Sequence, residues 1–232
     1  MRTLAHKDIQ VGNETKSLVV VVVRGSTPDV DWITNIISAI SVGDTSLGFG
    51  MANSVARLEL DAYIKLHQWR GHLSIDPIVL ITGHSLGGAV ANLLAHDLNT
   101  SGWDEENVFA YTFASPTVVD ENKASPDTNI FNILNSCNNE NHSFGGLIAN
   151  ACCDFVTHIP SLAIDNLSFV SGPNWGRHGL DAHIDMVPEN PKWNFFERIA
   201  INHKMPTYLN WMEALPGIRG KSPELILWSD VY

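Results

Sequence analysis

The chain has 232 residues, 44% of them hydrophobic and 17% charged, which is typical of a globular protein with a substantial core. A formal net charge of −11 without any basic cluster argues against nucleic-acid binding, in which affinity comes from neutralising phosphates. No apolar run is long enough to span a bilayer, and the polar segment from Met1 to Thr15 lacks the apolar core of a signal peptide. We therefore expect the chain as given to be soluble, without stable membrane insertion, while a signal removed before residue 1 leaves export open.

Strand and helix patterns alternate in the first half of the chain. Ser17–Val23 is a β-branched run without alternation, which predicts a strand buried on both faces of a parallel sheet, and Pro77–Thr82 repeats this signature. Between them, apolar residues recur every three or four positions and predict a helix that stops near Gly71. These residues are Val55, Leu58, Ala62, Leu66 and Trp69. A second helical stripe runs from Leu86 to Leu98.

The second half continues the alternation with weaker signals. Val108–Ala114 and Asn129–Leu134 predict two more strands, and Leu167–Val170 a less distinct fifth. A helix is predicted at Tyr208–Leu215. Strands and helices in this order predict an α/β fold, with a mostly parallel central sheet flanked by helices, and residues 1–232 forming a single domain.

The three cysteines are Cys137, Cys152 and Cys153, and none of them forms a Cys-x-x-Cys pair. This spacing argues against a zinc site built from thiolates. Two interpretations stay open: a disulfide from Cys137 to one of the other two, or three reduced thiols. The redox compartment is therefore not indicated by the sequence.

The strongest chemical signal is the pentapeptide Gly83-His84-Ser85-Leu86-Gly87, which lies between the strand ending at Thr82 and the helical stripe. A nucleophile elbow needs this strand–turn–helix setting, because the sharp reversal leaves the serine hydroxyl exposed in a strained backbone. The helix N-terminus favours a developing oxyanion, and the Leu86 N–H would be one donor. The pattern predicts Ser85 as the nucleophile of a serine hydrolase, against the alternative of a glycine-rich turn. We interpret His84 as structural, pointing away from Ser85.

Five segments, taken in order, resemble the class 3 lipases, the fungal-lipase-like branch of the α/β-hydrolases. They are Val19–Ser26 (ending in Arg-Gly-Ser), Asp31-Trp32-Ile33, Ile81–Ala89, Tyr111–Pro116 (similar to the family's Thr-Phe-Gly-x-Pro) and Cys153–Pro160. The resemblance implies an α/β-hydrolase fold, with Ser85 as nucleophile and Asp154 as the acid of the triad. It also implies that the backbone N–H of Ser26 completes the oxyanion hole with that of Leu86.

The resemblance also implies that the segment from about Thr27 to Ile40 would correspond to the family's lid. Its apolar residues recur near helical spacing. Either a lid over an acyl pocket or an ordinary helix packed on the core would fit this spacing. Two features depart from the family. Only residues 1–18 precede the first matching strand, so we expect a shortened N-terminal part, and Ser136–Ala151 reads as an irregular loop inserted before the acid.

Chain order in this fold class places the catalytic histidine after the acid. Four histidines follow Asp154: His158, His178, His183 and His203. His158 is too close in sequence to reach the carboxylate easily. The polar run Arg177–Asp185 is interpreted as a surface loop rather than a metal site, because its ligand spacing fits no template. His203 resembles the family's histidine followed by a nearby tyrosine, so we predict it as the base and place it on a loop.

The sequence thus predicts carboxylic ester hydrolysis through an acyl-enzyme, with an acylglycerol or another lipid or short ester as substrate. If the Thr27–Ile40 segment acts as a lid, we expect the reaction to take place at a lipid–water interface. Alternatives are an acyltransferase or a feruloyl or phospholipid esterase with the same triad, or a catalytically silent binding protein of the same fold. This chemistry needs no cofactor and no metal, and no calcium-loop pattern is present. The resemblance is compatible with secretion, and the sequence does not indicate an oligomeric state.

Overall fold

The computed structural model describes residues 2–25, 45–135, 154–158, 175–184 and 195–214. Its strands are β1 Arg2–Val11, β2 Glu14–Val23, β3 Ile78–His84, β4 Val108–Phe113, β5 Val119–Asp120, β6 Ile130–Asn135, β7 Trp175–Gly176 and β8 Leu180–Ile184. Six of them form one sheet in the order β1-β2-β3-β4-β6-β8, and β5 pairs with β7. Within the six-stranded sheet β1 is antiparallel to β2 and the other neighbours are parallel. The predicted mostly parallel sheet is confirmed.

The helices cover both faces of this sheet. They are α1 Thr45–Trp69, α2 Leu86–Thr100, α3 Phe195–His203 and α4 Met205–Ala214, with 3₁₀ turns at Glu105–Asn107, Glu121–Lys123 and Phe155–His158. Ala110 packs in the core cluster shared with α1 and α2, whereas its neighbour Tyr111 packs against the cluster that includes Tyr208 of α4. Successive strand residues point to opposite faces. The α1–α2 layer and α4 therefore lie on opposite sides of the sheet.

The positions predicted for β2, β3, β4, β6, α2 and α4 are confirmed to within a few residues. The predicted strand Leu167–Val170, the loop Ser136–Ala151, the lid segment from Thr27 to Ile40 and the three cysteines lie outside the described residues. None of the helices in the described ranges is long and apolar enough to cross a membrane.

The first ten described residues form a strand that the sequence analysis did not predict. β1 folds back on β2 in register, from Arg2 opposite Val23 to Val11 opposite Glu14. The two strands join at Gly12, whose φ of +60° suits a tight hairpin turn that favours glycine. The Gly12-Asn13 pair was the signal that could have revealed it. Among the described strands, β1 is therefore the end strand of the sheet, next to β2.

Helix α1 is confirmed, but the apolar stripe that predicts it is its exposed face. Leu58 is 69% exposed and Trp69 is 82% exposed, whereas Leu60 is fully buried. The core-facing side consists of the second apolar series Ala56, Leu60 and Ile64. The helix therefore carries apolar residues on two faces.

The interpretation of Arg177–Asp185 as a surface loop is wrong for its described part. Leu180–Ile184 is strand β8, parallel to β6, and His178 before it is buried. The side chains of Asn92 and Asn132 both donate to the His178 carbonyl, at 2.8 and 2.9 Å. Polar residues are buried here because other polar side chains satisfy their backbone groups.

Candidate active site

Ser85 occupies the sharp turn between β3 and α2. Its backbone adopts φ 58° and ψ −131°, a conformation that non-glycine residues rarely take. The turn is held by the Ser85 N–H, which donates to the carbonyl of Phe113 at 2.9 Å. Strain of this kind is retained where the surrounding structure fixes it, and it is common at functional sites.

Two glycines make this turn sterically possible. A Cβ on Gly83 would collide with the backbone of Gly87, one turn further along the chain. A Cβ on Gly87 would collide in turn with the carbonyl of Val23 at the end of β2. The Gly-x-Ser-x-Gly spacing is therefore required by the close approach of three backbone segments.

The hydroxyl of Ser85 has the surroundings of a buried reactive group. The expected exposure of this hydroxyl is wrong: Ser85 is only 4% exposed, because the ends of β2 and β4 pack closely around the turn. Its Oγ makes no hydrogen bond to any residue that the structure describes. Leu86 follows as the first residue of α2, so its N–H belongs to the first-turn amides that have no acceptor within the helix. The positive end of the helix dipole thus lies beside the Ser85 hydroxyl.

Asp154 is fully buried at the carboxyl end of β6. Its N–H donates to the carbonyl of Asn135, the last residue of β6, at 2.8 Å. Its carboxylate accepts hydrogen bonds from Val156 N–H at 3.0 Å, Tyr208 O–H at 2.6 Å and His203 Nδ1 at 2.9 Å. A buried carboxylate is tolerated only when it is paired in this way.

His203 is the last residue of α3, so its predicted position on a loop is wrong. The ring is 3% exposed, and Nδ1 lies 2.9 Å from both oxygens of Asp154. Because α4 begins two residues later, at Met205, the helix–helix corner delivers His203 and Tyr208 to the same carboxylate. A carboxylate only accepts, so Nδ1 carries the proton and Nε2 is left as the basic nitrogen.

Tyr208 is a site residue to which the sequence analysis gave no role. Burial, and then the neighbouring Asp154 carboxylate, raise the pKa of Tyr208 well above its ordinary value. The phenol therefore stays protonated and donates to Asp154. Its oxygen also accepts the Asn135 N–H at 3.2 Å, which ties α4 to β6.

His84 connects the Ser85 turn to His203. Its Nε2–H donates to the backbone carbonyl of His203 at 2.6 Å, and the two rings lie 4.8 Å apart. Burial, and then the proximity of His203, lower the pKa of His84 to about 4, so the ring is neutral at neutral pH. The residue next to Ser85 thus fixes the backbone of His203.

The other three histidines considered for the base are placed differently. His178 stacks on His96 at a centroid separation of 3.6 Å and accepts the Ser125 N–H. His183 is exposed on β8, and His158 lies in the 3₁₀ turn after Asp154, where only its backbone is described. Ser26, predicted for the oxyanion hole, lies outside the described residues.

A buried arginine, also missed by the sequence analysis, supports the loop that carries Asp154. The guanidinium of Arg177 donates to the carbonyl of Ser115 at 2.9 Å and to the carbonyl of Thr157. Its third partner is the carboxylate of Asp181 at 3.2 Å. Burial lowers the pKa of Arg177, and Asp181 opposes that shift. Its two carbonyl partners, Ser115 and Thr157, are distant in sequence, so no local pattern indicates these contacts.

Comparison with known proteins identifies the family of the chain. The family described as "Lipase (class 3)" matches residues 20–162, which is more than half of the chain. A lipase from Rhizomucor miehei is 34% identical over 115 residues, covering 46% of this chain and 31% of that protein. The chain therefore spans about a third of the length of this curated relative in the matched region.

Two solved fungal lipases are similar to this chain to different degrees. A crystal structure described as a fungal lipase is 18% identical with a TM-score of 0.51, over 84% of this chain and 68% of that one. The lipase from Rhizopus microsporus var. chinensis is 18% identical with a TM-score of 0.48, over 81% of this chain and 63% of that one. The first likeness confirms the predicted α/β-hydrolase fold. By the family match over residues 20–162, the chain belongs to the class 3 lipases.

Proposed function

We propose that this protein is a carboxylic ester hydrolase in which Ser85, His203 and Asp154 form the catalytic triad. The observation that carries the proposal is the buried pair of His203 and Asp154, which His84 links to the strained turn of Ser85. Family membership supports the same chemistry. The roles of the individual residues stay predictions.

In the proposed mechanism, the Ser85 Oγ attacks the ester carbonyl while His203 Nε2 takes its proton. The tetrahedral intermediate collapses as the same proton passes to the leaving alcohol, and an acyl-enzyme remains. Water then attacks the acyl carbonyl and loses its proton to His203. As this second tetrahedral intermediate collapses, the same proton passes from His203 to the Ser85 Oγ, which releases the acid and restores the free serine. The Leu86 N–H stabilises the oxyanion, and the resemblance assigns the second donor to Ser26.

Asp154 orients the imidazole and stabilises the imidazolium that forms in each step. Its three hydrogen bonds come from three places: the following turn, α3 and α4. A carboxylate held from three directions keeps the ring of His203 in one orientation. The hydrogen bond from the Ser85 hydroxyl to the base is expected to form with substrate bound, since such bonds commonly tighten only in the complex.

Turnover of p-nitrophenyl butyrate by Ser85→Ala and His203→Ala tests the assignment. Each variant should lose activity by about 10⁴-fold or more, because the members of a triad act as a unit. His183→Ala is the matched control, since it removes an exposed imidazole from the same region of the chain. A fluorophosphonate probe should label the wild type and not Ser85→Ala. Unchanged turnover in Ser85→Ala, with far-UV circular dichroism intact, would refute the proposal.

We further propose that the substrate is a lipid ester, which the family match and the name of the Rhizomucor miehei lipase support. A series of p-nitrophenyl esters from acetate to palmitate tests this point separately from the triad. Preference for acyl chains of about eight carbons or more, with a rate that rises above the micelle threshold, is the expected result. Preference for the acetate ester would support ester hydrolysis but contradict the proposal that the substrate is a lipid ester.

A further inference from the structure

Three histidines with no part in the proposed active site converge on the N-terminal hairpin. His6 lies on β1, His67 in the last turn of α1, and His72 just after the Gly71 turn that ends this helix. The His72 N–H donates to the His67 carbonyl at 2.8 Å, which fixes their relative position. One ring nitrogen from each histidine lies within 4.8 Å of the other two.

The spacing of the three rings is close to that of a metal site. Their centroids are separated by 4.5 Å for His6 and His67, 5.8 Å for His67 and His72, and 6.4 Å for His6 and His72. Zinc–nitrogen bonds of about 2.0–2.1 Å in a tetrahedron place imidazole centres about 5 Å apart. Rotations that move each ring by about 1 Å would therefore bring all three nitrogens into bonding distance.

Two features prepare these rings to act as ligands. Nδ1 of His6 lies 2.6 Å from the Tyr63 hydroxyl, whose oxygen can accept the Nδ1–H and so leave Nε2 with its lone pair. Nδ1 of His67 is buried and makes no hydrogen bond to any residue in the described ranges. A buried nitrogen without a hydrogen-bond partner is uncommon, and a cation would satisfy it.

A second group, made of His96, Asp127 and His178, is less suitable. The rings of His96 and His178 are parallel to within 5° at 3.6 Å, so an ion in the plane of one ring would lie well out of the plane of the other. Asp127 already accepts from His96 at 2.8 Å, and His178 accepts from the Ser125 N–H. Hydrogen bonds explain this group without a metal.

We propose that His6, His67 and His72 bind a divalent transition-metal ion, for which zinc is the best match, and that the ion fastens β1 to α1. Imidazole nitrogens favour zinc over magnesium or calcium, which prefer oxygen ligands. At its first residue, β1 is already held to α1 by the ion pair of Arg2 with Glu59 at 2.7 Å. The metal would hold the middle of the strand and leave a fourth position to water.

The test uses the whole chain after treatment with a chelator, at pH 7.5, where an ordinary imidazole is mostly neutral. Zn²⁺ affinity is measured by competition with a chromophoric chelator, and Co²⁺ binding by its visible absorption. We expect a Zn²⁺ Kd of about 1 μM or lower, and at a hundredfold excess over Kd a rise in Tm of about 5–10 °C.

Two variants and a matched control locate the ion. His72→Gln, which changes the most exposed of the rings, and His6→Gln should each weaken Zn²⁺ binding at least tenfold and abolish the Co²⁺ bands. His96→Gln changes the competing group and should keep both signals. Loss of binding in His96→Gln alone, retention in both cluster variants, or a wild-type Kd above about 1 mM would overturn the proposal. None of these readouts depends on ester hydrolysis.

Discussion

Tyr208 donates its phenolic proton to Oδ2 of Asp154 at 2.6 Å, while its oxygen accepts the Asn135 N–H at 3.2 Å. The phenol is fully buried, so it replaces solvent on one side of the carboxylate. This contact joins α4 and β6 at the proposed acid. It also makes Tyr208 a positioning residue for His203, which Asp154 holds from the other side.

Tyr208→Phe should therefore lower both kcat and stability. Asp154 keeps two of its hydrogen bonds, so we expect kcat for an ester substrate to fall by about tenfold with little change in KM. Asp154 loses one donor and the Asn135 N–H loses the phenolic oxygen, so the free energy of unfolding should fall by about 1–3 kcal/mol. Steady-state kinetics and urea denaturation measure the two effects. Tyr111→Phe, on β4, is the matched control and should keep kcat within about twofold.

Two histidines, one buried and one partly buried, should make the protein less stable in mild acid. Burial lowers the pKa of His84 and of His178 to about 4, with a neighbouring histidine as the second cause in each case. In the unfolded chain an imidazole titrates near its ordinary pKa of about 6.5. Between these values the unfolded state binds more protons, so the free energy of unfolding falls as the pH falls from about 6.5 to 4.

Urea denaturation of wild type and His178→Gln at several pH values measures this effect. Between pH 5 and 6 the free energy of unfolding should fall less steeply with falling pH in the variant than in the wild type. The difference in slope should be up to about 1 kcal/mol per pH unit. Between pH 7 and 8 the two slopes should coincide, because the imidazole is neutral in both states, which makes this window an internal control. Equal slopes between pH 5 and 6 would show that His178 takes up a proton without unfolding.

The sequence predicted most directly those parts of the site whose signals come from neighbouring residues in the chain. The Ser85 turn combines a buried strand, two required glycines and a helical stripe within a few positions, and each of these signals is local. Asp154 and His203 had weaker local signals, and their prediction depended on resemblance to a family. The structure brings these two side chains together.

The parts that were missed depend on contacts between residues far apart in the chain. His84 donates to the carbonyl of a residue 119 positions away, and no short pattern encodes such a bond. Strand β8 is exposed along most of its length, so it lacks the apolar period that predicts a strand. Its place comes from pairing with β6 and from the polar network around Asn132.

The buried Arg177, beside the loop that carries Asp154, should contribute more to stability than an arginine that is more exposed. Arg177→Met leaves the carbonyls of Ser115 and Thr157 without their donor, and we expect a loss of about 2–4 kcal/mol in the free energy of unfolding. Arg57 is the control: its side chain is 21% exposed, and it pairs with Asp61 and Asp97. Arg57→Met should cost about 1 kcal/mol or less. Equal losses in urea denaturation would contradict this difference in burial.

Ala114 offers a way to measure backbone strain at the end of β4. Its φ is +54°, and it stands where the similar family motif has glycine. This conformation costs an L-residue about 1–2 kcal/mol, and Ala114→Gly would remove that cost. The same substitution removes a buried methyl group and increases the conformational entropy of the unfolded chain, and both effects lower stability. Ala110→Gly, at an equally buried position within the strand, suffers those losses without any recovery. Ala114→Gly should therefore be more stable than Ala110→Gly by about 1–2 kcal/mol in urea denaturation. Equal stabilities of the two variants would show that Ala114 is not strained.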